Sequence, residues 1–245
     1  LLRELRRRAF AIRGIRDPVR GEPAAPSLIA VDSGGLISWR GSAGASAYDI
    51  QRTETPEESW RTIATGVSDA AIQYRPLYVD HTVVPGTSYR YRIVARNEAG
   101  KSAPSAPFGP VTMSHRTLID ELWNNSRMFM SAGAIEFRTS QSRRFKEDAH
   151  GLTGGAGASV IYRTNGPMIA GRVWTFAEAP GEFLSFGLSS DGREFASFEP
   201  RVEPLAAGDT ATYGYWLPIR YRLDELPLGQ RYLRIEFRGE PLRVT

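Results

Sequence analysis

Residues 85–105 read PGTSYRYRIVARNEAGKSAPS, and this stretch decides the class of fold. Tyr89, Tyr91, Ile93 and Ala95 fall on one side of a period-two alternation, with Arg90, Arg92 and Arg96 on the other. Successive side chains of a strand point to opposite faces. The pattern therefore predicts a half-exposed antiparallel strand, one face in a core and one in water. Outward from it, from Ser27 to about Met113, short runs of the same kind recur between turn residues. They are Leu36-Ile37-Ser38-Trp39, Tyr48-Asp49-Ile50-Gln51, Trp60-Arg61-Thr62-Ile63, Ile72-Gln73-Tyr74 and Val111-Thr112-Met113. Roughly seven strands in about 90 residues predict a β-sandwich.

The stretch 85–105 closely resembles the F strand and F–G turn of fibronectin type III domains. Trp39 stands where that family keeps its strand-B core tryptophan. Tyr89 stands where it keeps the tyrosine whose hydroxyl ties down the E–F corner. The resemblance spans about residues 23–113 and implies that Trp39, Tyr89 and Tyr91 are core rather than ligand-binding residues, with Trp60 half-buried. The chain contains no Arg-Gly-Asp triplet, so an integrin-binding role gains no support.

Beyond residue 125 the β-type runs continue: Ala134 to Phe137, Ser159 to Tyr162, Gly171 to Phe176, Phe183 to Leu188, Glu194 to Phe198, Tyr213 to Tyr221 and Tyr232 to Phe237. Ser190-Asp191-Gly192 is a hairpin-type turn. Leu233, Ile235 and Phe237 alternate with Arg234, Glu236 and Arg238, as expected of a closing strand with one wet face. These runs predict a second antiparallel sandwich, a jelly roll. The succession Asp120-Glu121-Leu122, Ile135-Glu136-Phe137, Glu147-Asp148-Ala149-His150, Ser190-Asp191-Gly192 and Leu226-Pro227-Leu228-Gly229 before Tyr232 resembles a known arrangement. It is the C-terminal accessory sandwich that follows a fibronectin type III domain in some bacterial glycoside hydrolases of the endo-β-mannanase and cellulase type. The resemblance implies an exported, carbohydrate-directed protein with a catalytic (β/α)₈ barrel upstream.

Residues 1–13, LLRELRRRAFAIR, carry Leu2, Leu5, Ala9 and Ile12 at helical spacing and predict an amphipathic helix stopped by Gly14 and Asp17-Pro18. A basic membrane helix and a presequence are alternatives; the preferred reading is the last helix of an upstream domain. The expected all-β organisation is thus a terminal helix at 1–16, a Pro-rich linker at 17–26, a fibronectin type III domain at 27–113, a linker at 114–125 and a jelly-roll sandwich at 126–245. A helical turn within residues 117–123 is also expected.

The chain of 245 residues has a formal charge of +4, no cysteine and three histidines, His81, His115 and His150. Disulfides, thiolate metal sites and cysteine nucleophiles are excluded, and a His-rich metal site or HExxH helix has little to build on. Residues 1–20 hold seven arginines against Glu4 and Asp17, so the charge excess belongs to one segment and does not mark a nucleic-acid-binding domain. No run approaches the ~18 apolar residues of a membrane span.

Glycoside hydrolysis needs two facing carboxylates. Glu147-Asp148 are neighbours that would point to opposite faces of a strand, and Glu178 and Glu182 flank a Pro180-Gly181 turn, so no catalytic residue is expected. Gly151 to Gly157, GLTGGAG, lacks the GK[ST] ending of a phosphate loop and reads as a flexible inter-strand loop. No cofactor is expected. A structural calcium would have to use Glu147, Asp148 and Asp209, without the spacing of an Asp-rich loop. Sugar recognition by a sandwich uses exposed aromatic faces, and the candidates are Trp174, Trp216, Tyr213, Tyr215 and Trp123. Tyr213 and Tyr215 share a face with Trp216 opposed; Trp174 lies opposite Val173, on a face whose exposure alternation alone does not decide.

The expected function is that of a non-catalytic accessory region of an exported bacterial glycoside hydrolase directed at β-mannan or β-glucan, combining a spacer with a carbohydrate-binding or barrel-packing module. Its partners would be a catalytic barrel on the helix 1–13, in the same or a separate chain, and polysaccharide, with no nucleic acid and no membrane. The alternative is a cell-surface adhesion module that binds a protein.

Overall fold

The computed structural model describes residues 8, 12, 21–54, 59–69, 77–137, 151–177, 181–204 and 216–239, and the backbone of 242–244. It divides into two units, Leu1–Ile119 and Asp120–Thr245. The elements within the described residues are strands and one 3-10 turn, Asn125–Arg127. The helix expected over residues 1–13 lies outside the described residues except for Arg8 and Ile12, which are helical and exposed.

The first unit contains β1 (Ser27–Val31), β2 (Leu36–Arg40), β3 (Ala47–Glu54), β4 (Arg61–Val67), β5 (Tyr78–Val79), β6 (Ser88–Arg96) and β7 (Phe108–Thr112). One sheet runs β1-β2-β5 and the other β4-β3-β6-β7, with every pairing antiparallel. This three-plus-four order is the fibronectin type III arrangement that residues 85–105 resemble. β6 is the expected strand: Tyr89, Tyr91, Ile93 and Ala95 are buried, while Arg90 is exposed and Arg92 and Arg96 are partly so. It lies against β3 along its whole length, from Ala47 opposite Arg96 to Glu54 opposite Tyr89. Ile37 and Trp39 from one sheet meet Tyr48, Ile50, Tyr91 and Ile93 from the other in a single core. The Tyr89 hydroxyl accepts a hydrogen bond from Val84 N–H at 3.3 Å, five residues upstream, as the tyrosine corner requires. Trp60 is half-buried, with the Arg92 guanidinium 4.3 Å above its ring. The strand expected at Ile72–Tyr74 lies outside the described residues.

The second unit holds β8 (Met130–Ala132), β9 (Ile135–Phe137), β10 (Leu152–Gly154), β11 (Ser159–Arg163), β12 (Gly171–Ala177), β13 (Leu184–Ser189), β14 (Ala196–Phe198), β15 (Arg201–Pro204), β16 (Leu217–Leu223), β17 (Tyr232–Phe237) and β18 (Leu242–Val244). They form a six-stranded sheet, β15-β16-β12-β18-β10-β9, and a five-stranded one, β14-β13-β17-β11-β8. Alternate residues of both enter one core. Val173, Ala177, Ile219, Tyr221 and Leu223 come from the first sheet, and Val160, Leu184, Phe186, Leu188, Ile235 and Phe237 from the second.

Several expectations change. Leu152–Gly154 is a strand rather than part of a flexible loop: Leu152 is buried, and a Cβ on Gly154 would stand 2.5 Å from the Phe237 ring, so glycine there lets the two sheets close. β17 lies in the centre of its sheet, and β18, in the middle of the other, comes last in the chain. The described part of the Pro-rich segment belongs to the first sandwich, with Pro23 and Pro26 buried and Asn97 Nδ2 donating to the Gly21 carbonyl at 2.9 Å. Of the expected linker 114–125, residues 114–116 are tied to the first unit and Leu122 to the second. His115 N–H and Ser114 N–H bond to Ser33, Arg116 Nε donates to the Val83 carbonyl at 2.6 Å, and Leu122 is buried in the second core. Residues 117–123 form no helical turn; Leu122 has φ 55°, outside the right-handed helical region.

Candidate functional site

β12 and β16 run antiparallel in register from Gly171 opposite Leu223 to Ala177 opposite Leu217, and β15 adds outside β16. On β12 the residues Val173, Thr175 and Ala177 are buried, so Trp174 faces outward with 37% of its surface exposed. That settles which face of this strand is wet. Across three strands the outer residues form two rows. Arg172, Arg222 and Arg201 make one, and Trp174, Arg220 and Glu203 make the next. Phe176 opposite Pro218 continues the face beyond Trp174.

Glu203 is the acceptor around which the arginines gather. Arg220 Nε donates to its Oε2 at 2.9 Å and Arg220 Nη2 bonds to the same oxygen. Arg201 Nε and Arg222 Nη1 reach Oε1 at 3.1 and 3.4 Å. The hydrogen bond from Arg220, with the charges of Arg222 and Arg201 nearby, holds the Glu203 carboxyl below its ordinary range. Arg222 also pairs with Asp224 at 2.7 Å, while its Nε is buried without a hydrogen-bond partner among the described residues. Arg172 is exposed and has no carboxylate partner among the described residues. Trp174 likewise has no aromatic or cationic neighbour against its ring among them.

The other aromatic candidates are not all brought to this face. Trp216 immediately precedes β16 and by strand alternation shares the outer side with Pro218 and Arg220, but it is only partly exposed and its Nε1 is buried. Tyr213 and Tyr215 lie outside the described residues. Trp123 is 47% exposed ahead of β8, a strand of the other sheet, and its Nε1 donates to Glu121 at 3.0 Å. On that second sheet an aromatic group not expected from sequence appears at Phe129. It packs edge-on to Tyr232 with centroids 5.6 Å apart, and Arg163 lies 4.7 Å over its ring. Phe129 therefore already has ring and cation contacts, where Trp174 has none among the described residues.

Of the nominated carboxylates, Glu182 is largely exposed and pairs with Arg238 at 3.1 Å, while Glu147, Asp148, Glu178 and Asp209 lie outside the described residues. Among the described residues no three His, Asp or Glu side chains are placed to hold a metal ion. None of their helices is long and apolar enough to cross a membrane. In the first unit an open cleft of about 450 Å³ is walled by Ser46, Arg96, Asn97, Glu98, Gly100 and Lys101. Its cations are turned to Asp49, with Lys101 Nζ at 2.9 Å and Arg96 at 3.6 Å.

No protein-family model matches the chain. Among solved structures it is similar to an Fn3-like protein from Clostridium thermocellum, at 24% identity and TM-score 0.28, over 42% of this chain and 100% of that one. It is also similar to the FN1–FN3 domains of chicken CNTN1, at 13% identity and TM-score 0.31, over 90% of this chain and 66% of that one. The twitchin kinase region from C. elegans is similar at 21% identity and TM-score 0.31, and this chain covers 29% of it. The fibronectin type III arrangement of the first unit is carried by its own strand order and tyrosine corner.

Proposed function

We propose that this chain is a non-catalytic recognition region of an exported bacterial glycoside hydrolase, in which the fibronectin type III unit is a spacer and the second sandwich binds polysaccharide. The parent enzyme is inferred from the succession of short motifs between Asp120 and Phe237. The second sandwich is read as a jelly roll with three added strands. In the order β16-β12-β18-β10 facing β14-β13-β17-β11, the chain alternates between sheets as a double Greek key does, and β15, β9 and β8 extend the edges.

The observation that carries the reading is Trp174: an exposed indole on a sheet face, with no ring or cation against it among the described residues, beside forked guanidinium donors. A pyranose ring has an apolar C–H face that stacks on such an indole and hydroxyls that accept from arginine. Affinity electrophoresis through neutral and acidic polysaccharides, including mannan, glucomannan, hydroxyethylcellulose and polygalacturonate, tests it. Retardation on at least one, lost in Trp174→Ala, supports the reading; no retardation on any of them removes it.

A further inference from the structure

The rows beside Trp174 carry a charge pattern that sheet stability does not call for. Arg172, Arg222 and Arg201 are direct cross-strand neighbours on one face of three adjacent strands. Directly opposed like charges destabilise a sheet. With neighbouring strands ~4.8 Å apart, the row roots three arginine side chains on one face within about 10 Å of backbone. Three arginines, Arg201, Arg220 and Arg222, share two carboxylates, Glu203 and Asp224, and Arg172 is a fourth on the same face. Arg172 and Arg201, at the two ends of the row, are the exposed ones: Arg172 has no carboxylate partner among the described residues, and the Arg201 side chain is 73% exposed.

We infer that this face selects an anionic polysaccharide, one whose sugar ring stacks on Trp174 while its ring carboxylates are taken by Arg172 and the arginines beside it. The inference rests on the polysaccharide reading above and names the ligand's class. Glu203 shows the chemistry the face offers, since a carboxylate set among these arginines receives Nε and Nη donors from several of them at once. A uronate carboxyl lies at the edge of its pyranose ring, so a ring on Trp174 presents it to the adjacent arginine row. Planar, bidentate guanidinium groups suit a carboxylate better than a neutral hydroxyl. The bound charge also relieves the repulsion within the row.

The test is calorimetric titration of the whole chain with oligogalacturonate and with a manno-oligosaccharide of equal length, at about 20 and about 300 mM salt, where exposed charges are weakly and strongly screened. The expected result is acidic binding at least about tenfold tighter than neutral at low salt, the scale of one or two half-exposed ion pairs. Arg172→Gln, an exposed position whose loss leaves the core intact, weakens the acidic ligand severalfold and leaves any neutral one unchanged. Trp174→Ala weakens both. Neutral binding equal to or tighter than acidic overturns this inference and leaves the polysaccharide reading standing. Acidic binding indifferent to Trp174→Ala, and matched by polyglutamate, marks a generic polyanion surface and also overturns it. Binding to neither sugar overturns both.

Discussion

Within the first core, Arg52 and Asp80 form an ion pair at 2.7 Å with side chains 4% and 1% exposed. Burial by itself would raise Asp80, but hydrogen bonds from the Thr82 hydroxyl and N–H, together with the Arg52 charge, outweigh it and hold the carboxyl below its ordinary value. Tyr91 donates its hydroxyl to the same carboxylate at 3.0 Å, and burial followed by the Asp80 charge pushes its own ionisation upward. Arg52 also stacks 4.2 Å from the centre of the Tyr89 ring. A carboxyl depressed by folding adds stability above its unfolded pKa and loses it as pH falls through the folded one. Urea denaturation from neutral pH downward is therefore expected to show a loss below the ordinary aspartate range, and Asp80→Asn should lose less over that interval. Asp80→Ala strands Arg52 in the core and should cost about 3–5 kcal/mol at neutral pH. None of this could be read from sequence, where Arg52 is one arginine among many and nothing local pairs it with Asp80, 28 residues away.

Among the elements, legibility followed the length of the alternation. β6, β16 and β17 each place alternate apolar residues in a core; β6 and β17 lie within runs expected from sequence, and β16 overlaps the run Tyr213 to Tyr221 and extends two residues beyond it. β8 is three exposed residues and β15 is four with only Glu203 partly covered, so no periodic signal marks them. β10 hides in a glycine-rich run because its Gly154 answers to Phe237 in the opposite sheet, a requirement invisible to local reading. Gly154→Ala is expected to cost about 1–3 kcal/mol in thermal denaturation, since its new methyl must displace that ring. Tyr89→Phe removes the acceptor of Val84 N–H while keeping the ring in the core, and a loss of about 0.5–1.5 kcal/mol in urea is expected. The candidate site was half legible. Trp174 could be named but not oriented, because Val173 and Thr175 suit either face. The arginine row could not be named at all, because its members are far apart in sequence and meet only through the pairing of β12, β16 and β15.

For the whole molecule, overall charge proved a poor guide to where charge acts. The arginine-rich segment 1–20 accounts for the basic balance, and the rest of the chain is close to neutral. That near-neutral remainder nevertheless gathers four arginines on one sheet face. The two units have separate cores, one built on Trp39, Tyr48 and Tyr91 and the other on Phe186, Tyr221 and Phe237. Expressed apart as residues 21–119 and 120–245, each is expected to unfold cooperatively in calorimetry, and the first should keep the acid sensitivity that Asp80 confers.

The place of β18 ties the second unit's completion to the direction of synthesis. Its residues follow every other strand of the six-stranded sheet in sequence, yet in space they lie between β12 and β10. Until Leu242–Val244 clear the ribosome, the partners on either side have nothing between them: the Trp174 half of the sheet and the β10–β9 half stay unjoined. A chain cut short before Leu242 would keep every residue of the candidate site and still expose two strand edges to neighbouring chains, so the unit is open to edge-to-edge association until β18 has been made.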